Sequence, residues 1–266
     1  MINFPLKKTL KNTLLNSNRI LVKKKGYFVH IPKTAGNSVR QVLRKYNILT
    51  NPGFITSERE HQFASRKAFR VKNSHISFKT NRFPCCLDDP NFHKAEIKFT
   101  VVRNPFSLLY SYYNHYIDNI EKKNWIDNGW GNVNSYHDIK NFDHFIDIYT
   151  SIDPEEWHVP LLCRNLYGQI LDDNGKSVVD YAIFFERLKE GVLKIINKSR
   201  FIPIKNYNLL HKNKSPKINE SILNCYTEKM IKKVNKKCEW ELDNFNYSLF
   251  SSEKNNIIKD IRNLKS

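Results

Sequence analysis

Apolar positions along this chain fall into short β-type runs, each followed by a stretch of helical spacing. Tyr27-Phe28-Val29-His30-Ile31 is a compact β-type run that Pro32 ends. From Ser38 to Tyr46, the residues Val39, Val42, Leu43 and Tyr46 sit at i, i+3, i+4 and i+7, which predicts an amphipathic helix. Residues 47–95 read as irregular, with turn chemistry at Asn51-Pro52-Gly53 and Asp88-Asp89-Pro90. Lys98 to Val102 is a second β run. Asn104-Pro105 then opens a helix with Phe106, Leu109, Tyr110 and Tyr113 on one face.

The second half continues the alternation. Residues 121–137 form a Trp/Gly/Asn loop, and Phe142, Phe145, Ile146 and Tyr149 mark a third helix. Val178 to Phe185 is a third strand, followed by a helix carrying Leu188, Val192, Ile195 and Ile196. His211 to Lys217 is a basic loop containing Pro216, and two helical stretches, around 219–240 and 252–264, close the chain. Strand, loop and helix recurring three times predict an α/β fold: a central parallel sheet with helices on its faces. In such sheets ligands sit beyond the carboxyl ends of the strands. Residues 1–25 read as a basic lead-in, and 26–266 as one domain.

Composition narrows this only a little. With 266 residues and 40% apolar content, the chain can bury a core without staples, and disorder is excluded. No apolar run approaches the length of a membrane span, and the N-terminal apolar pairs are interrupted by Asn16-Ser17-Asn18-Arg19, so neither a signal peptide nor an anchor is expected. Five cysteines, an odd number, argue against a secreted disulfide framework and for reduced thiols in a cytosol. Cys85-Cys86, with His93 as the nearest further ligand, does not make a metal site.

Charge changes the picture more. The formal net charge is +18, distributed unevenly. Residues 1–100 carry 20 basic side chains against 5 acidic ones, residues 101–186 carry 6 against 13, and residues 187–266 carry 18 against 8. A nonspecific nucleic-acid coat needs no acidic middle, whereas a polyanion pocket built from both ends of the chain produces this pattern. A Lys-rich composition of solvated side chains gives a similar imbalance.

The most informative segment is His30-Ile31-Pro32-Lys33-Thr34-Ala35-Gly36-Asn37-Ser38-Val39. A strand feeding a helix leaves free backbone N–H groups and a positive dipole end facing the loop, which suits an anion. Gly36 would let the backbone approach an oxyanion closely. Thr34, Asn37 and Ser38 would add donors, and Lys33 a point charge. The loop is not a Walker A motif, because Lys33 precedes Gly36 and the chain has only eight glycines in all. The alternative is a plain strand-to-helix turn with a capping serine. A second segment, Val102-Arg103-Asn104-Pro105-Phe106-Ser107-Leu108-Leu109-Tyr110-Ser111, ends a strand on Arg103. It places Ser107 and Ser111 on one helix face, so that Arg103 and Ser111 can meet one phosphate. The alternative here is an arginine paired with an acidic residue of the middle region.

Together the two segments resemble the sulfotransferase superfamily, in its carbohydrate sulfotransferase-like branch. One of its motifs reads like His-Ile-Pro-Lys-Thr-x-Gly-x-Ser and another like Val-Arg-Asn-Pro-x-x-x-x-x-Ser, matched here at 30–38 and 102–111. Asp180 to Leu188 is similar to the family's strand ending in Phe-Glu-x-Leu, and Asp243 to Tyr247 to its closing Asp-x-x-x-Phe-x-Tyr, so the likeness covers roughly residues 26–250. The resemblance implies a P-loop-like three-layer fold and the cosubstrate 3′-phosphoadenosine 5′-phosphosulfate, with no metal. It implies that Lys33, Thr34, Ala35, Gly36, Asn37 and Ser38 hold the phosphosulfate, that Arg103 and Ser111 hold the 3′-phosphate, and that Lys214 lies on a late loop over the nucleotide. Lys33 would be catalytic, neutralising the leaving phosphate, and His75, in Asn73-Ser74-His75-Ile76-Ser77-Phe78, would be the general base. Glu60 and His61 are the other candidates for that role, and His30 is expected to point away beside the loop. At Trp157-His158-Val159-Pro160 the family often continues with Gln, whereas Leu161 stands here.

The implied partners are the nucleotide donor and a glycan acceptor, with no specific nucleic acid and at most peripheral membrane contact. Trp125 to Trp130, with Trp157, could stack on sugar rings or serve as packing. Asp127, Asp138 and Asp143 favour a neutral or amino sugar over a heavily sulfated one. Two rival classes are an ATP-dependent small-molecule or sugar kinase, for which neither a Walker A loop nor a magnesium carboxylate is found, and a basic nucleic-acid-binding domain, which leaves the Lys33 loop unexplained.

Overall fold

The structure is a computed structural model that describes residues 26–31, 33–45, 54–56, 90–121, 139–151, 170–172, 174–198, 222, 224–249 and 257–264. Its centre is one five-stranded sheet. The strands are β1 (Gly26–Val29), β2 (Phe54–Thr56), β3 (Ile97–Val102), β4 (Tyr181–Phe184) and β5 (Ile258–Asp260), in the order β2-β1-β3-β4-β5. β1 pairs in parallel with β2 and with β3, and β3 with β4, Val29 lying opposite Thr100 and Val102 opposite Phe184.

Three expectations are corrected. The sheet is mixed rather than parallel, because β5 runs antiparallel to β4, with Ile258 opposite Ile183 and Asp260 opposite Tyr181. That strand lies where a closing helix was expected at 252–264. Ile257, Ile258, Ile261 and Leu264 mimic helical spacing, but pairing with the open edge of β4 decides the local structure. Within 47–95, expected to be irregular, Phe54–Thr56 forms the opposite edge strand and Pro90–His93 a single helical turn.

The helices are α1 (Gly36–Lys45), α2 (Pro90–His93), α3 (Pro105–Glu121), α4 (Phe142–Ser151), α5 (Leu188–Lys198), α6 (Glu228–Lys237) and α7 (Glu239–Phe245). Successive strand side chains point to opposite faces of a sheet, and the core divides accordingly. Phe28, Ile97, Phe99, Val101 and Ile183 join Val39, Val42 and Leu43 of α1 and Leu188, Val192, Ile195 and Ile196 of α5. Tyr27, Val29, Val102, Ala182 and Phe184 join residues of α3, α4, α6 and α7. Phe28 stacks on Phe99 with ring centroids 5.1 Å apart, and Tyr27 meets Phe92 of α2 edge-on at 5.2 Å. Each such fully buried side chain contributes about 1.5–3 kcal/mol.

This division positions the site. β1 and β3 are neighbours, yet β1 leads into a helix on one face of the sheet and β3 into a helix on the other. The chain therefore parts at their carboxyl ends, and such a switch point opens a crevice there.

Local chemistry explains where the helices begin and end. Asn104 caps α3: its Oδ1 accepts from the Phe106 N–H at 3.0 Å, its carbonyl accepts from the Leu108 N–H at 2.9 Å, and Pro105 takes the first helical position. Thr227 caps α6 by accepting from the Met230 N–H at 3.3 Å. Asn246 ends α7 in the left-handed region, with φ 49° and ψ 43°, and the Tyr247 N–H returns to the Leu242 carbonyl at 2.9 Å.

Candidate functional site

The loop between β1 and α1 is strained. Lys33 has φ 61° and Ala35 has φ 67°, a region that non-glycine residues occupy at a cost of about 1–3 kcal/mol each. Two bonds hold it. The Thr34 hydroxyl, fully buried, donates to the Ile31 carbonyl at 2.8 Å. Arg103, from the end of β3, donates through a terminal guanidinium nitrogen to the Lys33 carbonyl at 3.0 Å. α1 then starts, with the Val39 N–H bonded to the Ala35 carbonyl at 3.1 Å. The N–H groups of Gly36, Asn37 and Ser38 precede that first helical bond, so they have no intrahelical carbonyl. Ala35, in the capping position, brings no side-chain oxygen to them. Backbone donors left open at a helix start have the polarity to receive an anion.

The residues singled out in the sequence divide by what their atoms do. Lys33 is half-buried at the turn, Ser38 is buried in the first turn of α1, and Asn37 is exposed. The Asn37 Oδ1 accepts from the Arg40 guanidinium, which brings a second cation to the loop. Arg40 was not foreseen; its i, i+3 spacing from Asn37 was the available signal. The Thr34 hydroxyl proton goes to the Ile31 carbonyl, which braces the loop. Gly36 has a different reason from the expected one. A Cβ there would lie 1.8 Å from His30 Nε2, so the glycine makes room for the His30 imidazole. His30 thus lies beside the loop, packed against Gly36.

Arg103 is 3% exposed. Its Nε donates to Ser107 Oγ at 2.8 Å, and the Ser107 hydroxyl donates on to the Asn104 carbonyl at 3.1 Å. Its guanidinium lies 4.3 Å from the centroid of the Phe185 ring. Burial lowers its pKa to about 10, opposed by the attraction of Glu186. It is charged at neutral pH. The serine bonded to it is Ser107, one turn before Ser111, which is itself buried.

Two further segments meet here that the sequence offered only as weak likenesses. Phe185–Arg187 forms a short 3₁₀ turn after β4, which places Phe185 against Arg103 and Glu186 behind it. Glu186 Oε1 accepts from the Asn104 N–H at 3.4 Å, and Glu186 Oε2 accepts from the Tyr247 hydroxyl at 3.0 Å. Asn104 Nδ2 donates to the Ser248 carbonyl at 2.7 Å. Burial raises the Glu186 pKa above the usual carboxylate value, against the bonds from Tyr247 and Asn104 and the attraction of Arg103. Four separate stretches of chain, near 33, 103, 186 and 247, therefore converge at the carboxyl ends of β1, β3 and β4.

His75, Lys214, Glu60, His61, His158 and Leu161 lie outside the described residues, as do the Trp125–Trp130 loop, Trp157, Asp127 and Asp138. Asp143 lies on α4. Among the described residues no group of three His, Cys, Asp or Glu side chains is placed to hold a metal, and no helix is long and apolar enough to cross a membrane.

Comparison with protein-family models, with curated proteins and with solved structures returns no match.

Proposed function

We propose that this chain is a sulfotransferase that moves a sulfuryl group from 3′-phosphoadenosine 5′-phosphosulfate to a hydroxyl or amine of an acceptor, with carbohydrate as the acceptor class. The observation that carries the reading is the bond from Arg103 to the Lys33 carbonyl. It joins the two segments whose sequences suggested the two anionic ends of one donor, at the switch point of the sheet. The reading includes a P-loop-like three-layer fold, supported by the two core clusters on opposite sheet faces.

The donor set suits a phosphosulfate. Lys33 and Arg40 bring positive charge, and the open N–H groups at the start of α1 bring directional donors. The donor supplies an electrophilic sulfur whose bond to the 5′-phosphate oxygen breaks as the acceptor oxygen bonds to sulfur and its proton passes to a base. Lys33 neutralises the charge left on the departing phosphate oxygen, an effect of a few kcal/mol in a dry site. Arg103 keeps two of its five N–H groups on Ser107 and Lys33; the others, with Ser111, take the 3′-phosphate in this reading. His75 is the proposed base and Lys214 a proposed contact of the nucleotide. The proposed location is the cytoplasm.

The test is a thermal-shift series. Adenosine 3′,5′-bisphosphate should raise the melting temperature while ATP with magnesium does not. Stabilisation by ATP with magnesium alone would point to a kinase instead, and salt-sensitive binding of long DNA with no response to the bisphosphate would point to a nucleic-acid-binding domain.

A further inference from the structure

We propose that Glu186 and Tyr247 are positioning residues for the Lys33–Ser38 loop: they hold Arg103 on the Lys33 carbonyl and so set the backbone on which an anion would sit. The proposal concerns the loop's own geometry and applies to any anion it receives.

The chain of contacts is continuous. The left-handed turn at Asn246 brings Tyr247 back over the end of β4, where its ring lies 5.7 Å from that of Phe184. From there its hydroxyl reaches Glu186 Oε2 at 3.0 Å. The other oxygen of Glu186 fastens the Asn104 N–H, directly after Arg103, and the preceding ring, Phe185, lies under the guanidinium at 4.3 Å. Ser248 closes the same strap from the far side by accepting from Asn104 Nδ2 at 2.7 Å. Arg103 is thereby fixed in direction, and one of its fixed donors ends on Lys33, a residue at positive φ. A strained loop persists only where its surroundings over-determine it. Here the determining groups lie more than 140 residues away in sequence.

The strap has a property that a general packing role lacks. Glu186 sits in the turn after β4 and Tyr247 just past α7, yet loosening them should be felt at the first turn of α1 and not in the sheet. The reporter is the Val39 amide, the first bonded N–H of α1, with the Phe99 amide in the middle of β3 as reference.

The experiment is amide hydrogen exchange on the ligand-free full chain, comparing wild type with Tyr247→Phe and Glu186→Gln. Tyr149→Phe serves as a control, since it removes another buried hydroxyl, 3.9 Å from Cys238 Sγ on a different part of the core. Exchange at Val39 should rise about tenfold in both test variants, the size expected for loss of a bond to a charged group, with Phe99 unchanged. Tyr149→Phe should leave Val39 at its wild-type rate. Unchanged Val39 exchange in both test variants would overturn the proposal. So would an equal rise at Val39 and Phe99, which would mean general destabilisation. A rise in one variant only would remove the other residue from the strap. Titration with adenosine 3′,5′-bisphosphate, run alongside, separates the two ideas: a wild type that takes none contradicts the sulfotransferase reading and leaves the exchange result to decide this one.

Discussion

Arg103 donates to the Lys33 carbonyl at 3.0 Å, across 70 residues of chain and across the gap between two neighbouring strands. An arginine that ends a strand and a lysine that starts a turn are thereby parts of one object. The guanidinium is spent on the fold, on Ser107 and on Lys33.

Arg103→Ala should therefore cost stability as well as binding. It removes the bonds to Ser107 and Lys33 and leaves Glu186 buried without its nearby cation. Urea unfolding should show a loss of about 3 kcal/mol. Arg103→Lys keeps the charge but not the planar fork, and should recover only part of that loss.

Gly36 and His30 should be energetically coupled. Gly36→Ala alone drives a methyl into the imidazole, whose Nε2 would be 1.8 Å away, and should destabilise. In a His30→Ala background the same change should be neutral or stabilising, since alanine is the better residue inside a helix. A double-mutant cycle by chemical denaturation should return a coupling of about 1–3 kcal/mol. Additive effects would mean that the glycine serves the backbone and not the imidazole.

The sequence made β1, its loop and α1 legible because a β-type apolar run, a stop at Pro32 and helical spacing agree over residues 27–46. β5 was not legible: three residues hold too little periodicity, and pairing of Ile258 with Ile183 overrides the helical spacing around them. At the site, Lys33 and Arg103 were readable as separate features. Their bond was not, because it depends on which strands become neighbours. The local partners of Thr34 and Gly36 were not legible for a related reason. Their chemistry suits an anion, but the nearest groups in space are the Ile31 carbonyl and the His30 imidazole. Glu186 and Tyr247 were visible only as fragments of a family likeness, and they meet through the left-handed turn at Asn246.

Glu186 should give a pH signature. Its folded pKa is raised by burial, so its contribution to stability is present below the unfolded pKa and is lost as pH rises through the folded one. The model-compound value is 4.5. The stability of wild type minus that of Glu186→Gln should therefore fall as pH is raised from about 4.5 upward, and then level off. A difference that grows with pH would mean that Arg103 outweighs the desolvation of the carboxylate.

Lys33 and His75 should separate kinetically. Lys33→Ala should reduce the rate of sulfuryl transfer by about 10²–10³-fold and also weaken the bisphosphate complex. His75→Ala should lower kcat by about 10²–10⁴-fold and leave bisphosphate affinity intact. Full turnover in His75→Ala would reassign the base, with Glu60 and His61 next in line.

The most direct measurement is a calorimetric titration of the folded wild-type chain with adenosine 3′,5′-bisphosphate, repeated on Lys33→Ala. The account predicts one saturable site in wild type and at least about tenfold weaker binding in the variant, the loss expected for a charge-assisted contact. Folded wild-type protein that shows no saturable heat would contradict it.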